Sequence, residues 1–123
     1  MADGFSVAVA NAALSTVIGT DAAFVQLHTG DPGSAGTSNV SSVTTRQSVT
    51  WGSPSAGSVA ASDTPQWTNW AGTNGEVDTD LSFWSLATSG AFGMSMQMSA
   101  PVTMDTGDSL TLTAISVAFP TAS

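Results

Sequence analysis

The stretch Phe92-Gly93-Met94-Ser95-Met96-Gln97-Met98-Ser99 decides the fold class of this chain. Large apolar residues at 92, 94, 96 and 98 alternate with small or polar ones. That period of two marks a β-strand with one covered face. The same period recurs on either side. Ala23 to Thr29 places Val25 and Leu27 on one face, with Phe24, Gln26 and His28 on the other. Val43 to Trp51 carries Val43, Val49 and Trp51 in phase, with Arg46 opposite. Ser58 to Ala61 and Pro65 to Trp70 are two further short strands. Val77 to Leu86 aligns Val77, Leu81 and Phe83 and sets Asp78 and Asp80 on the opposite face. Trp84 falls on that acidic face, so this end of the strand is expected to be covered on both sides. Leu110 and Leu112 begin a last apolar pattern whose phase slips at Ala114, a sign of a bulge or bend.

Turn chemistry separates these segments. In Leu27-His28-Thr29-Gly30-Asp31-Pro32-Gly33, Pro32 fixes φ and Asp31 can accept from the backbone two residues on, while Gly30 and Gly33 are expected at positive φ. Gly/Ser/Thr/Asn-rich loop fills 30–42, Asn74-Gly75 is a strong turn signal, and Asp105 to Asp108 reverses the chain. About seven or eight short strands with such spacing predict a mainly β protein, an antiparallel β-sandwich of jelly-roll-like form. Ahead of it, Val7, Ala10, Leu14, Val17 and Ile18 form an apolar stripe at helical spacing, with Ser6 placed to cap the start and Gly19 to end the helix. The expected organisation is a helical arm over 1–20 and a β-sandwich over 21–123, together one globular domain.

Composition excludes several function classes. Of 123 residues, one is cationic at neutral pH and nine are acidic, for a net charge of −8. A nucleic-acid binder displaces phosphate counterions with Lys and Arg, and Arg46 alone does not supply that. An anionic membrane surface is disfavoured for the same reason. No cysteine is present, so disulfides and thiolate metal sites are ruled out. The apolar N-terminal segment lacks the basic flank of a signal peptide, and no apolar run is long enough to span a bilayer.

No residue pattern points to catalysis. His28 is the single histidine, with no Gly-x-Ser-x-Gly element and no Cys nucleophile, so its ring is expected to bond to backbone or a strand neighbour. Asp78 and Asp80 are expected to be solvated and the turn acids to cap backbone amides, because no calcium-loop motif accompanies them. No cofactor or metal is expected. The candidates for partner contact are Val7 and Leu14 on the helix, Asp31 in the 30–42 loop, Arg46 as the lone cation, and Trp67 and Trp70 as aromatic anchors. Trp67 and Trp70 fall on opposite faces of a regular strand, so at least one is expected in the core. Arg46 is expected to pair with a carboxylate within the fold or across a subunit contact.

The chain from Ala22 onward resembles small virion proteins of tailed phages of actinobacteria, a group labelled variously as capsid decoration, minor tail or tail-fibre-like. The resemblance rests on Leu27-His28-Thr29-Gly30-Asp31-Pro32-Gly33, Thr45-Arg46-Gln47, Val49-Thr50-Trp51-Gly52, Leu81-Ser82-Phe83-Trp84, and Pro101-Val102-Thr103-Met104 leading to Thr106-Gly107-Asp108. It implies a non-enzymatic structural protein of the virion. The expected role is a capsid decoration protein on the outer capsid surface, contacting the major capsid protein and copies of itself, with a trimer favoured. The alternative is a minor tail or tail-fibre component that binds a host surface glycan through Trp67, Trp70 or the 30–42 loop.

Overall fold

The computed structural model describes residues 3–122. The expected mainly β, antiparallel sandwich with a short N-terminal helix is what the chain forms. One layer is a four-stranded sheet in the order β2-β1-β5-β6, built from β1 (Phe24–His28), β2 (Gln47–Ser48), β5 (Glu76–Trp84) and β6 (Phe92–Met104). Two short ladders complete it: β3 (Ser58–Ala60) with β8 (Ser116–Ala118), and β4 (Gln66–Trp67) with β7 (Leu110–Thr111). Between them lies one core, to which the sheet contributes Val25, Leu27, Leu81 and Phe83 and the ladders contribute Val59, Trp67 and Leu110.

Several expected strands are shorter or differently aimed. Of Val43 to Trp51, only Gln47–Ser48 is strand, although Trp51 makes an isolated bridge to Ala61. The phase slip at Ala114 is a change of partner: Leu110–Thr111 pairs with β4, and Ser116–Ala118 pairs with β3. One continuous strand cannot serve both ladders, so the alternation restarts. Gly30 is not at positive φ, whereas Gly33 is, at 77°. What Gly30 supplies is room, since a Cβ there would lie 3.1 Å from the Asn39 amide.

The helix departs from the expected end. Ser6 caps α1 (Val7–Ala13) by accepting from Val9 N–H at 3.2 Å. The chain then takes a π-helical turn over Leu14–Ile18 and continues through α2 (Gly19–Asp21), so Gly19 is not a terminator. The stripe that packs is Ala10, Leu14 and Ile18, all buried, while Val7 faces outward. Just before the helix, Phe5 bonds through its backbone to Pro120 and Ala122, which ties the two ends of the chain together.

The β5–β6 register explains the least expected placement. Leu81 lies opposite Met96 and Phe83 opposite Met94, but Asp78 lies opposite Val102 and Glu76 opposite Met104. An irregularity between Asp78 and Asp80 reverses the phase of β5. Val77 therefore faces solvent and Asp78 is fully buried, the reverse of the solvated pair expected from alternation. A second irregularity between Phe83 and Trp84 makes Gly93 the extra residue, where a Cβ would come 2.4 Å from the Asp21 carbonyl oxygen.

Candidate functional site

Two polar arrangements in the sheet have chemistry worth testing against function. The first surrounds His28. Its Nδ1 lies 2.8 Å from the Ser38 carbonyl, an acceptor, so Nδ1 carries the proton and donates. Nε2 is then an acceptor, and the Ser82 hydroxyl donates to it at 2.6 Å. Trp84 Nε1–H donates to Ser82 Oγ at 2.7 Å. A Ser–His pair of this kind has the connectivity of a nucleophile and its base. Both side chains are wholly buried, however, and burial holds the His28 pKa below its ordinary 6.5. A nucleophile with no exposed surface meets no substrate, and the pair acts as a structural link between β1, β5 and the 30–42 loop.

Arg46 closes the same face of the sheet. Its Nε donates to Gln26 Oε1 at 3.1 Å and its Nη1 to the carbonyls of Leu86 and Ser89 at 3.0 and 2.6 Å. Its guanidinium sits 4.0 Å above the Trp84 ring. Among the described residues its partners are an amide, two carbonyls and an indole, in place of the carboxylate expected within the fold. Trp84 is buried under it, as its position on the second face of β5 required.

The second arrangement is Asp78 with Glu76. Glu76 accepts from the Ser41 hydroxyl at 2.6 Å and from Ser42 N–H at 2.9 Å. Among the described residues the Asp78 carboxylate oxygens find no donor. Burial, reinforced by Glu76, pushes Asp78 up to about 8. It is therefore protonated near neutrality and able to donate to Glu76. Burial pushes Glu76 up as well, but the neighbouring Asp78 acid and the bonds accepted from Ser41 and Ser42 together hold it below the usual carboxylate range. Among the described residues no cluster of three or more His, Cys, Asp or Glu side chains is placed to hold a metal.

The sequence-derived contact candidates separate clearly. Leu14, Trp67 and Trp70 are core residues, each under one-twentieth exposed, so none offers a free face for stacking. Trp70 joins Trp67 inside because β4 stops at Trp67 and Asn69 turns the chain at φ 52°. Their indole N–H groups donate to the Thr45 and Thr73 carbonyls at 2.9 and 3.0 Å. Asp31 is exposed and accepts from Gly33 N–H at 2.9 Å, two residues on. Val7 is 44% exposed, beside Phe5 and Val9 at 50% and 55%.

Above Trp67 and Trp70 lies a feature that alternation did not reveal: a groove of about 410 Å³ rimmed by Thr45, Gln47, Gln66, Thr68 and Asn69. It contains no charged side chain. The tryptophans form its floor, and hydroxyls and amides form its walls. Compositional clues to it were the run of Gln and Thr around two indoles, but the walls form only because the segment from Val43 to Gln47 lies beside Gln66 to Ala71, tied to it by the Trp67 indole N–H on the Thr45 carbonyl.

A search of curated proteins finds no match to this chain. A family model described as podophage GP4 fiber I protein gp80 matches residues 2–119, and the chain belongs to that family of phage virion structural proteins.

Proposed function

We propose that this protein is a component of the phage tail-fibre apparatus, and that the groove above Trp67 and Trp70 binds a host surface glycan. The observation that carries the reading is the groove itself. Sugar hydroxyls are met by neutral donors and acceptors over an apolar floor, and Gln47, Gln66, Thr45, Thr68 and Asn69 supply that set without a charge to desolvate. The fibre description of the family supports it. Contact runs through the polar rim, with the buried indoles shaping the floor rather than stacking on the ring.

The test is binding of the purified protein to an array of bacterial surface polysaccharides. Gln66 and Thr68 are exposed, so replacing both with Ala leaves the core untouched. The double variant is expected to lose about tenfold in affinity for whichever glycan the wild type binds. Absence of wild-type binding to any glycan contradicts the reading, as does binding that the double variant retains in full.

Capsid decoration is the second reading, and one observation favours it. Phe5, Val7 and Val9 are exposed apolar side chains around the start of the helix, available to the major capsid protein. An acidic decoration protein would sit on the outer capsid surface, away from the packaged DNA.

A further inference from the structure

We infer that β6 is a self-association edge, where two copies of this chain pair strand to strand across a two-fold axis. β6 is the outer strand of the four-stranded sheet, with β5 as its neighbour. Among the described residues, the backbone of Gly93 to Thr103 makes no hydrogen bond except to β5. A full row of N–H and C=O groups is left facing outward. Folded proteins protect such an edge with charges, a covering segment or a very short strand. Here the strand spans 13 residues, and no charged residue occurs between Asp80 and Asp105. The extra residue at Gly93 and the irregularity that ends at Pro101 interrupt the edge at both ends, and Met94 to Gln97 between them keep a regular register with β5.

The occupant follows from charge and pattern. Each chain carries a net charge of −8, so two copies repel wherever acids meet. The 24 residues between Asp80 and Asp105 form an uncharged segment where they approach freely. Antiparallel pairing centred on Met96 is also self-complementary. It sets Met94 opposite the partner copy's Met98, and Ser95 opposite its Gln97, so methionine meets methionine on one face and polar meets polar on the other. The methionine face borders a cleft of about 380 Å³ lined by Met96, Met98, Val102, Leu110, Leu112 and Ile115. These methionines are half-buried in one chain, and flexible thioethers of a second copy fit the rest of the cleft. The product is a continuous eight-stranded sheet and a two-fold dimer, in place of the trimer favoured from sequence.

The experiment measures mass in solution by sedimentation at tens of micromolar, using the full chain. The wild type is expected at twice the protomer mass. Ser95→Asp with Gln97→Asp brings acids opposite one another across the axis at exposed positions, and is expected to weaken the dimer about tenfold or more with an unchanged circular dichroism spectrum. Because the chain has no cysteine, Met96→Cys gives a second readout. On-axis thiols lie within disulfide reach, so oxidation is expected to yield a covalent dimer, while Val77→Cys on the exposed surface stays monomeric. A monomeric wild type overturns the inference. So does an oligomer indifferent to the two acids, which would place the contact on another face or with another partner.

Discussion

The two faces of the β1–β5 pair are both buried, yet different forces hold them. On one face Val25, Leu27, Leu81 and Phe83 pack into the common core, where apolar area removed from water is the stabilising term. On the other face Gln26, His28, Ser82 and Trp84 lie equally out of reach of water, under Arg46 and the 30–42 loop. There each polar atom needs its own partner, because a buried donor or acceptor left unpaired costs more than the bond itself contributes. The apolar face tolerates reshaping at a cost that grows with the cavity. The polar face is a chain of single bonds, each of which fails completely when removed.

The sharpest way to probe the apolar face is Phe83→Ala. Phe83 is fully buried and lies 6.0 Å from the Trp51 ring, so truncation is expected to cost about 3–5 kcal/mol in chemical denaturation. The matching change on the polar face is Ser82→Ala. It deletes one oxygen but orphans both His28 Nε2 and Trp84 Nε1, and about 2–3 kcal/mol is expected. A loss below about 0.5 kcal/mol for Ser82→Ala would show that the polar face is not held by its bonds.

The smallest effect has the opposite sign and comes from Asp78, an acid displaced onto the core side. Its folded pKa of about 8 lies above its ordinary 3.8, so the folded chain keeps a proton that the unfolded chain has lost. Stability from this group therefore declines as pH rises across that interval. His28 runs the other way: with its folded pKa below 6.5, the unfolded chain takes the proton first and stability declines as pH falls beneath 6.5. Between pH 6.5 and 8 Asp78 is the one of the two that acts, and the melting temperature is expected to fall over that range. Asp78→Asn is expected to flatten this slope and to add on the order of 1–2 kcal/mol at pH 8. A slope unchanged in the variant would remove Asp78 as its source.

The same contrast governs what could be read from the residues. Alternation exposed the apolar face of β1, the covered end of β5 at Trp84 and the methionine face of β6, because area burial leaves a period in the sequence. The Asx turn at Asp31 and the Ser6 cap were equally legible, being local. Hydrogen-bonded burial leaves no period: nothing local joins His28 to Ser82, 54 residues away. Register irregularities are likewise silent, and one of them turned Val77 out and Asp78 in. The groove above Trp67 and Trp70 depends on how the segment from Val43 to Gln47 lies beside Gln66 to Ala71, and alternation, which required only one of the two indoles in the core, did not show that both are buried.

The most direct measurement of the central claim is quantitative mass spectrometry of purified virions, giving the ratio of this chain to the major capsid protein. A fibre component is predicted at roughly a few per cent of the capsid protein, consistent with attachment at a small number of symmetry positions. A ratio near one, or near roughly one third, would contradict the fibre assignment and place the protein across the capsid surface.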